Sequence, residues 1–146
     1  MVSFQEMYNQ IHKISELSGV LSHLIEERSL CDTGVTCDLF FEYVDQVKVH
    51  LDDEEKALYQ PLLLHSEIHV KNTANMFLSG SGEIKRVFKQ YLKRWCRNKD
   101  LRIRDHELFL KETKEIFELV NRRLIDETEK LYPVARSVSE ENKKAA

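Results

Sequence analysis

Apolar side chains recur every three to four residues along nearly the whole chain, and no stretch alternates with the period of two that a strand requires. Projected at about 100° per residue, the pattern predicts four helices. The first runs from about Ser3 to Arg28, with Phe4, Met7, Ile11, Ile14, Leu21 and Ile25 on one face. A loop with Asp32, Thr33 and Gly34 leads to a second helix, opened by Thr36 or by Cys37 and Asp38 and running to about Gln60, with Pro61 at the turn. Ser66 reads as the N-cap of a third helix. Its stripe of Val70, Ala74, Phe77, Ser81, Ile84, Phe88, Tyr91 and Trp95 keeps one phase through Ser79-Gly80-Ser81-Gly82, which predicts one long helix to Cys96. After a turn at 98–101, a last helix is expected from Ile103 to Tyr132, where Pro133 ends it. Helices of about 25–30 residues joined by short loops predict an all-α fold, an antiparallel up-down-up-down four-helix bundle. The expected organisation is a bundle over 1–133 and a flexible C-terminal tail over 134–146.

Two segments share one spacing. The second helix ends in His50, Glu54, Leu58 and Tyr59, and the fourth in Arg123, Glu127, Leu131 and Tyr132. His50 and Glu54 project into the apolar stripe of Leu39, Tyr43, Val47, Leu51 and Leu58, and Glu127 lies within that of Phe117, Val120, Leu124 and Leu131. Carboxylates in a core are costly unless paired or metal-bound. Counting outward from the loops brings His12, His50, Glu54 and Glu127 to one layer, with Tyr8, Phe77 and Arg123 close by. Nitrogen and carboxylate ligands converging between helices are how bundle metal sites are built. Arg123 offers a second explanation, because its guanidinium can neutralise both carboxylates without a metal.

The His50-x-x-x-Glu54 pair, a helix-one histidine and the downstream Glu127 resemble the hemerythrin-like (HHE cation-binding) family, over about residues 4–133. The resemblance implies a four-helix bundle holding a non-haem iron pair, bridged by carboxylates, that handles dioxygen or nitric oxide or senses iron and redox state. It implies His12, His50, Glu54 and Glu127 as ligands to one or two iron ions, a small diatomic ligand, and binding rather than enzymatic turnover. The sequence departs from the family pattern in two ways: Arg123 stands where the second hairpin would carry a histidine, and Thr73 and Phe77 face the core where the third helix would carry one. The alternative is a metal-free bundle of this kind, with an Arg–carboxylate core, acting as a protein-interaction module.

Charge adds one feature. The chain has a net charge of −3, which argues against nucleic-acid binding, yet residues 85–104 hold nine basic side chains and one acidic one, Asp100. That strip is either a docking surface, for an acidic protein partner or a phosphate backbone, or a solvated helix face followed by a polar loop. No apolar run is long enough to span a bilayer. The N-terminus lacks the basic start and apolar run of a signal peptide, and an odd count of 3 cysteines suits free thiols, so a cytoplasmic location is expected. Phosphate-binding loops, a Gly-x-Ser-x-Gly elbow and a His-Glu-x-x-His zinc motif are absent from the sequence.

Overall fold

The computed structural model describes residues 2–145. Among them the structure is almost entirely helical. The elements are α1 (Phe4–Leu24), α2 (Gly34–Glu54), a π-helical turn π1 (Glu55–Tyr59), α3 (Gln60–Leu63), α4 (Ile68–Trp95), a two-stranded antiparallel hairpin β1 (Cys96–Arg97) and β2 (Asp100–Leu101), α5 (His106–Asp126), a second π turn π2 (Glu127–Leu131) and α6 (Tyr132–Ala145). Because α2, π1 and α3 run on without a break, as do α5, π2 and α6, the chain forms four long helical rods. Among the described residues no helix is long and apolar enough to cross a membrane.

Local chemistry sets the starts. Ser3, Thr33 and Asp105 cap α1, α2 and α5, each side-chain oxygen accepting from a backbone N–H three residues on. At α4 the cap is Glu67, without a side-chain bond, and not the expected Ser66. The first helix stops at Leu24 rather than Arg28. Cys31 turns back there, its N–H reaching the Glu27 carbonyl and its side chain fully buried. The glycine-containing stretch of α4 stays helical throughout, as the unbroken phase predicted.

The largest departure lies at the C-terminus. Residues 134–145, expected as a flexible tail, continue the fourth rod as α6, with Ala135 and Val138 buried. Pro133 does not end the helix because it follows a π turn. A proline lacks an N–H and its ring crowds the carbonyl four residues back, and the wider i→i+5 turn relieves that clash. Pro61 stands at the same distance after π1, so both prolines of the chain punctuate π turns. Further contacts fasten α6: His65 Nε2 meets Glu141 Oε2 at 2.9 Å, and the Arg136 guanidinium lies 5.2 Å from the Phe4 ring centre and 5.3 Å from that of Tyr8. Met1 and Ala146, the outer ends of the two expected ranges, lie outside the described residues.

The apolar core comes in two pieces. One gathers Ile14, Leu21, Phe40, Tyr43, Phe88 and Phe109 with their neighbours toward the hairpin end. The other gathers Met7, Leu62, Ala74, Phe77, Leu131 and Tyr132 under α6. In every rod the changeover falls at the same level: between Met7 and Ile14, Leu51 and Leu58, Phe77 and Ile84, and Leu124 and Leu131. The buried charged groups, His50, Glu54, Arg123 and Glu127, occupy that level together with Ser81.

Candidate metal centre

Each rod contributes to the polar layer. Gln10 comes from α1, His50 and Glu54 from α2, the Phe77 carbonyl, Gly80 and Ser81 from α4, Arg123 from α5 and Glu127 from the first position of π2. Glu54 and Glu127 are fully buried, His50 is 1% exposed and Arg123 7%. The π turns make the layer possible. In a regular α-helix a residue five positions on points about 140° away. The wider π turn brings Tyr59 round toward the face of Glu54, and Tyr132 toward that of Glu127. Tyr59 OH then accepts from Arg123 Nη2 at 2.7 Å, and Tyr132 OH donates to Glu54 Oε2 at 2.9 Å.

The two carboxylates divide their oxygens between two positive groups. On one side, Arg123 Nε donates to Glu127 Oε2 at 2.8 Å and Nη2 approaches Glu54 Oε1 at 3.5 Å. On the other side, His50 Nε2 lies 2.7 Å from Glu127 Oε1 and 3.6 Å from Glu54 Oε2. Both carboxylates therefore span from an arginine pole to a histidine pole. The arginine pole is tightly built: Nη1 donates to the Phe77 carbonyl at 2.8 Å, Nη2 to Ser81 Oγ at 2.8 Å, and the guanidinium carbon sits 4.8 Å from the Phe77 ring centre. Gly80 makes room for it, since a Cβ there would lie 2.9 Å from Nη1. At the histidine pole, Gln10 Nε2 donates to Asp53 Oδ2 at 2.6 Å, which turns Gln10 Oε1 toward His50 Nδ1 at 2.7 Å. Nδ1 thus carries a hydrogen, and Nε2 is left facing the carboxylates.

Electrostatics separates the two acids. Burial, reinforced by the neighbouring Glu127 charge, pushes the Glu54 carboxyl well above its ordinary range, against the pull of Arg123 and Tyr132. Burial also acts to raise Glu127, but hydrogen bonds from His50 and Glu54 and the charges of His50 and Arg123 outweigh it and hold Glu127 at about 2. Burial raises Tyr59 to about 12 and Tyr132 further still, so both phenols keep their protons. Two carboxylates against one guanidinium leave one negative charge for a proton or a cation to balance.

Three of the four expected ligands come together. His50, Glu54 and Glu127 each offer one donor atom, and these atoms lie within 4.8 Å of one another. His12 is not with them. Its side chain is 80% exposed and pairs with Glu16 at 3.3 Å on the outer face of α1. Gln10, two residues earlier and so about 200° round the helix, takes the inward place. His69 is exposed, and His106 Nε2 bonds the Ile25 carbonyl at 2.8 Å, far from the layer. The Arg123 bridge to both carboxylates, expected as the metal-free explanation, is present. The donor set fits one divalent cation at the histidine pole. It does not fit two, because the guanidinium fills the arginine pole and α4 offers only a carbonyl and a hydroxyl there. Gln10, Tyr59, Gly80, Ser81 and Tyr132 were missed as members of the layer. For the tyrosines the signal was present, as a Glu-x-x-x-x-Tyr spacing repeated in both segments. Comparison of the chain with protein-family models, with curated proteins and with solved structures finds no match.

Proposed function

We propose that the chain is an antiparallel up-down-up-down bundle of the hemerythrin-like type that binds a single non-haem iron ion through His50, Glu54 and Glu127, for sensing or handling dioxygen, nitric oxide or iron. The observation that carries this reading is the division of the carboxylate oxygens. Glu54 and Glu127 reach between two cationic positions as bridging carboxylates do, and Arg123 supplies one of the two positive charges permanently. The other position is faced by a ring nitrogen, Glu54 Oε2 and Glu127 Oε1. Iron bound there would supply a centre able to coordinate a diatomic ligand or change oxidation state. The chain's own part is to fix the His50 ring through Gln10 and Asp53, to hold the far carboxylate oxygens with Arg123, and to exclude bulk water with two flanking apolar clusters. Because an ion can be held only by deprotonated carboxylates and a free imidazole nitrogen, uptake is expected to weaken as pH falls.

The test is anaerobic titration of the purified chain with Fe(II), and with Co(II) as a coloured substitute, followed by elemental analysis. About one equivalent should bind, binding should vanish in His50→Ala, and His12→Ala should leave it unchanged. Failure of both metals to bind at millimolar concentration would favour the second reading, a metal-free interaction module. One observation supports that reading. Apart from the Tyr43 hydroxyl, every fully buried side-chain nitrogen and oxygen among the described residues already has a hydrogen-bond partner, so the polar atoms of the layer are satisfied without an ion.

A further inference from the structure

The basic strip does not form one surface. Lys85 is bound to Asp52 at 2.7 Å, Arg94 to Glu112 at 2.7 Å and Arg86 to Glu83 at 3.9 Å, so these three cations are already neutralised within the chain. Lys89, Lys93, Arg97, Lys99, Arg102 and Arg104 are exposed, and among the described residues none has a carboxylate within 4.0 Å. Four of them, Lys93, Arg97, Arg102 and Arg104, border one open groove of about 1160 Å³ at the hairpin end of the molecule. The two acids bordering that groove are engaged elsewhere: Asp32 pairs with Arg28 at 3.2 Å, and Asp105 accepts from the Leu108 N–H as the cap of α5. The groove thus presents unpaired cations beside acids already in use. Its walls also include Leu108, half-buried, and Cys96, so an apolar contact accompanies the charge.

The hairpin holds this arrangement in place. Asn98 and Lys99 both adopt left-handed backbone, at φ 52° and 62°, without being glycine. The Arg102 N–H donates to the Trp95 carbonyl at 2.6 Å, extending the ladder past β2, and Leu101 is anchored in the core. Arg97 lies on β1 and Arg102 directly follows β2, so the hairpin holds the backbone of both in place. The planar guanidinium of an arginine loses less freedom per hydrogen bond to a carboxylate than a lysine ammonium does.

We infer that this groove is a docking site for an acidic, partly apolar segment of a partner protein, which lays carboxylates along Lys93, Arg97, Arg102 and Arg104. The features of the surface favour a protein partner over a nucleic acid. Trp95 is buried and its Nε1–H is bound to Glu112 at 2.7 Å, so it offers no face on which a base could stack. Asp100, exposed on β2, opposes a continuous phosphate track. This inference is independent of whether the core holds metal.

The experiment is fluorescence anisotropy of the full chain with a labelled twelve-residue peptide of Glu-Glu-Leu repeats at low salt. Alongside it run the same peptide with every Glu replaced by Gln and a twelve-nucleotide single-stranded DNA. Two variants of equal charge change are compared: Arg97→Glu, Arg102→Glu and Arg104→Glu together, and Lys71→Glu, Lys111→Glu and Arg122→Glu together, both checked for unchanged helical circular dichroism. The acidic peptide should bind, the Gln peptide should not, and the groove triple should lose at least ten-fold in affinity while the control triple stays within about three-fold. Amide NMR shifts on titration should concentrate on residues 93–108, which gives a readout that bulk charge does not move. The inference is overturned by equal losses in the two triples, by tighter binding of the DNA than of the peptide, or by no binding of the acidic peptide.

Discussion

The two halves of the polar layer are built on one plan and differ at one decisive position. In the first, His50, Glu54 and Tyr59 straddle the start of π1. In the second, Arg123, Glu127 and Tyr132 straddle that of π2. Each half completes the other: Tyr59 accepts from Arg123, Tyr132 donates to Glu54, and Glu127 bonds both His50 and Arg123. The difference is the basic residue. A histidine is a ligand that can gain or lose a proton, whereas an arginine is a fixed positive charge that no metal can share. The chain therefore pairs an exchangeable pole with a permanent one, and its two glutamates acquire opposite electrostatic characters although their helical settings match.

The change that should break this comparison most severely is Arg123→Leu. It leaves two buried carboxylates without their fixed counter-charge and frees Tyr59, Ser81 and the Phe77 carbonyl, with an expected cost of about 3–5 kcal/mol in urea unfolding of the metal-free protein. A loss below about 1 kcal/mol would mean that the guanidinium is not the charge balancing the layer. Arg123→His instead makes the two halves alike, and metal stoichiometry should rise from about one to about two ions per chain. A titration that stays at one would show that α4 lacks the ligands for a second site.

Glutamate substitutions sharpen the contrast. Glu127→Gln should destabilise by about 2–4 kcal/mol at neutral pH, since an ionised acceptor for both His50 and Arg123 is lost. Its pH signature follows from the sign of the shift. Glu127 is held at about 2 against an ordinary 4.5, so its contribution is full above about 4.5 and is lost as pH falls toward 2. Wild type should lose stability through that window more steeply than Glu127→Gln. For Glu54 the sign reverses: its raised value means a contribution present below the ordinary range and lost as pH rises through the folded-state value. Glu54→Gln should therefore cost under about 1 kcal/mol at neutral pH and compare most favourably with wild type in alkaline buffer. Equal pH profiles for the two variants would erase the proposed asymmetry.

A similarly small effect is expected at Gly80. Alanine there gains about 1 kcal/mol of helix propensity, yet its Cβ would meet Arg123 Nη1 at 2.9 Å. A net loss of about 1 kcal/mol is expected. In an Arg123→Ala background the same change should turn stabilising, and the double-mutant cycle measures that coupling directly.

The sequence carried the helical rods, the level of the layer and most of its charged members, because hydrophobic phase and loop-to-loop counting report height along a bundle well. They report rotation poorly. His12 and Gln10 share almost the same height, yet they lie on opposite sides of α1, and counting by height selected the histidine and passed over Gln10. The tyrosines failed for a different reason. A fixed turn of about 100° per residue carries Tyr59 and Tyr132 off the carboxylate face, and only the π turns, which no residue type announces, bring them back. The same turns allowed Pro133 to sit inside a helix that the usual rule for proline would have stopped.

The changeover between the two apolar clusters has a consequence for how the rods choose their alignment. Greasy surfaces alone tolerate sliding, since a helix displaced by one turn still meets leucines and phenylalanines. Here such a slip would carry Arg123 away from Glu54, Tyr59 and the recess at Gly80 and seat a bare guanidinium against hydrocarbon. The layer thus acts as a key cut across all four rods at one height, admitting a single alignment and penalising its neighbours, much as one buried polar residue fixes register in a coiled coil.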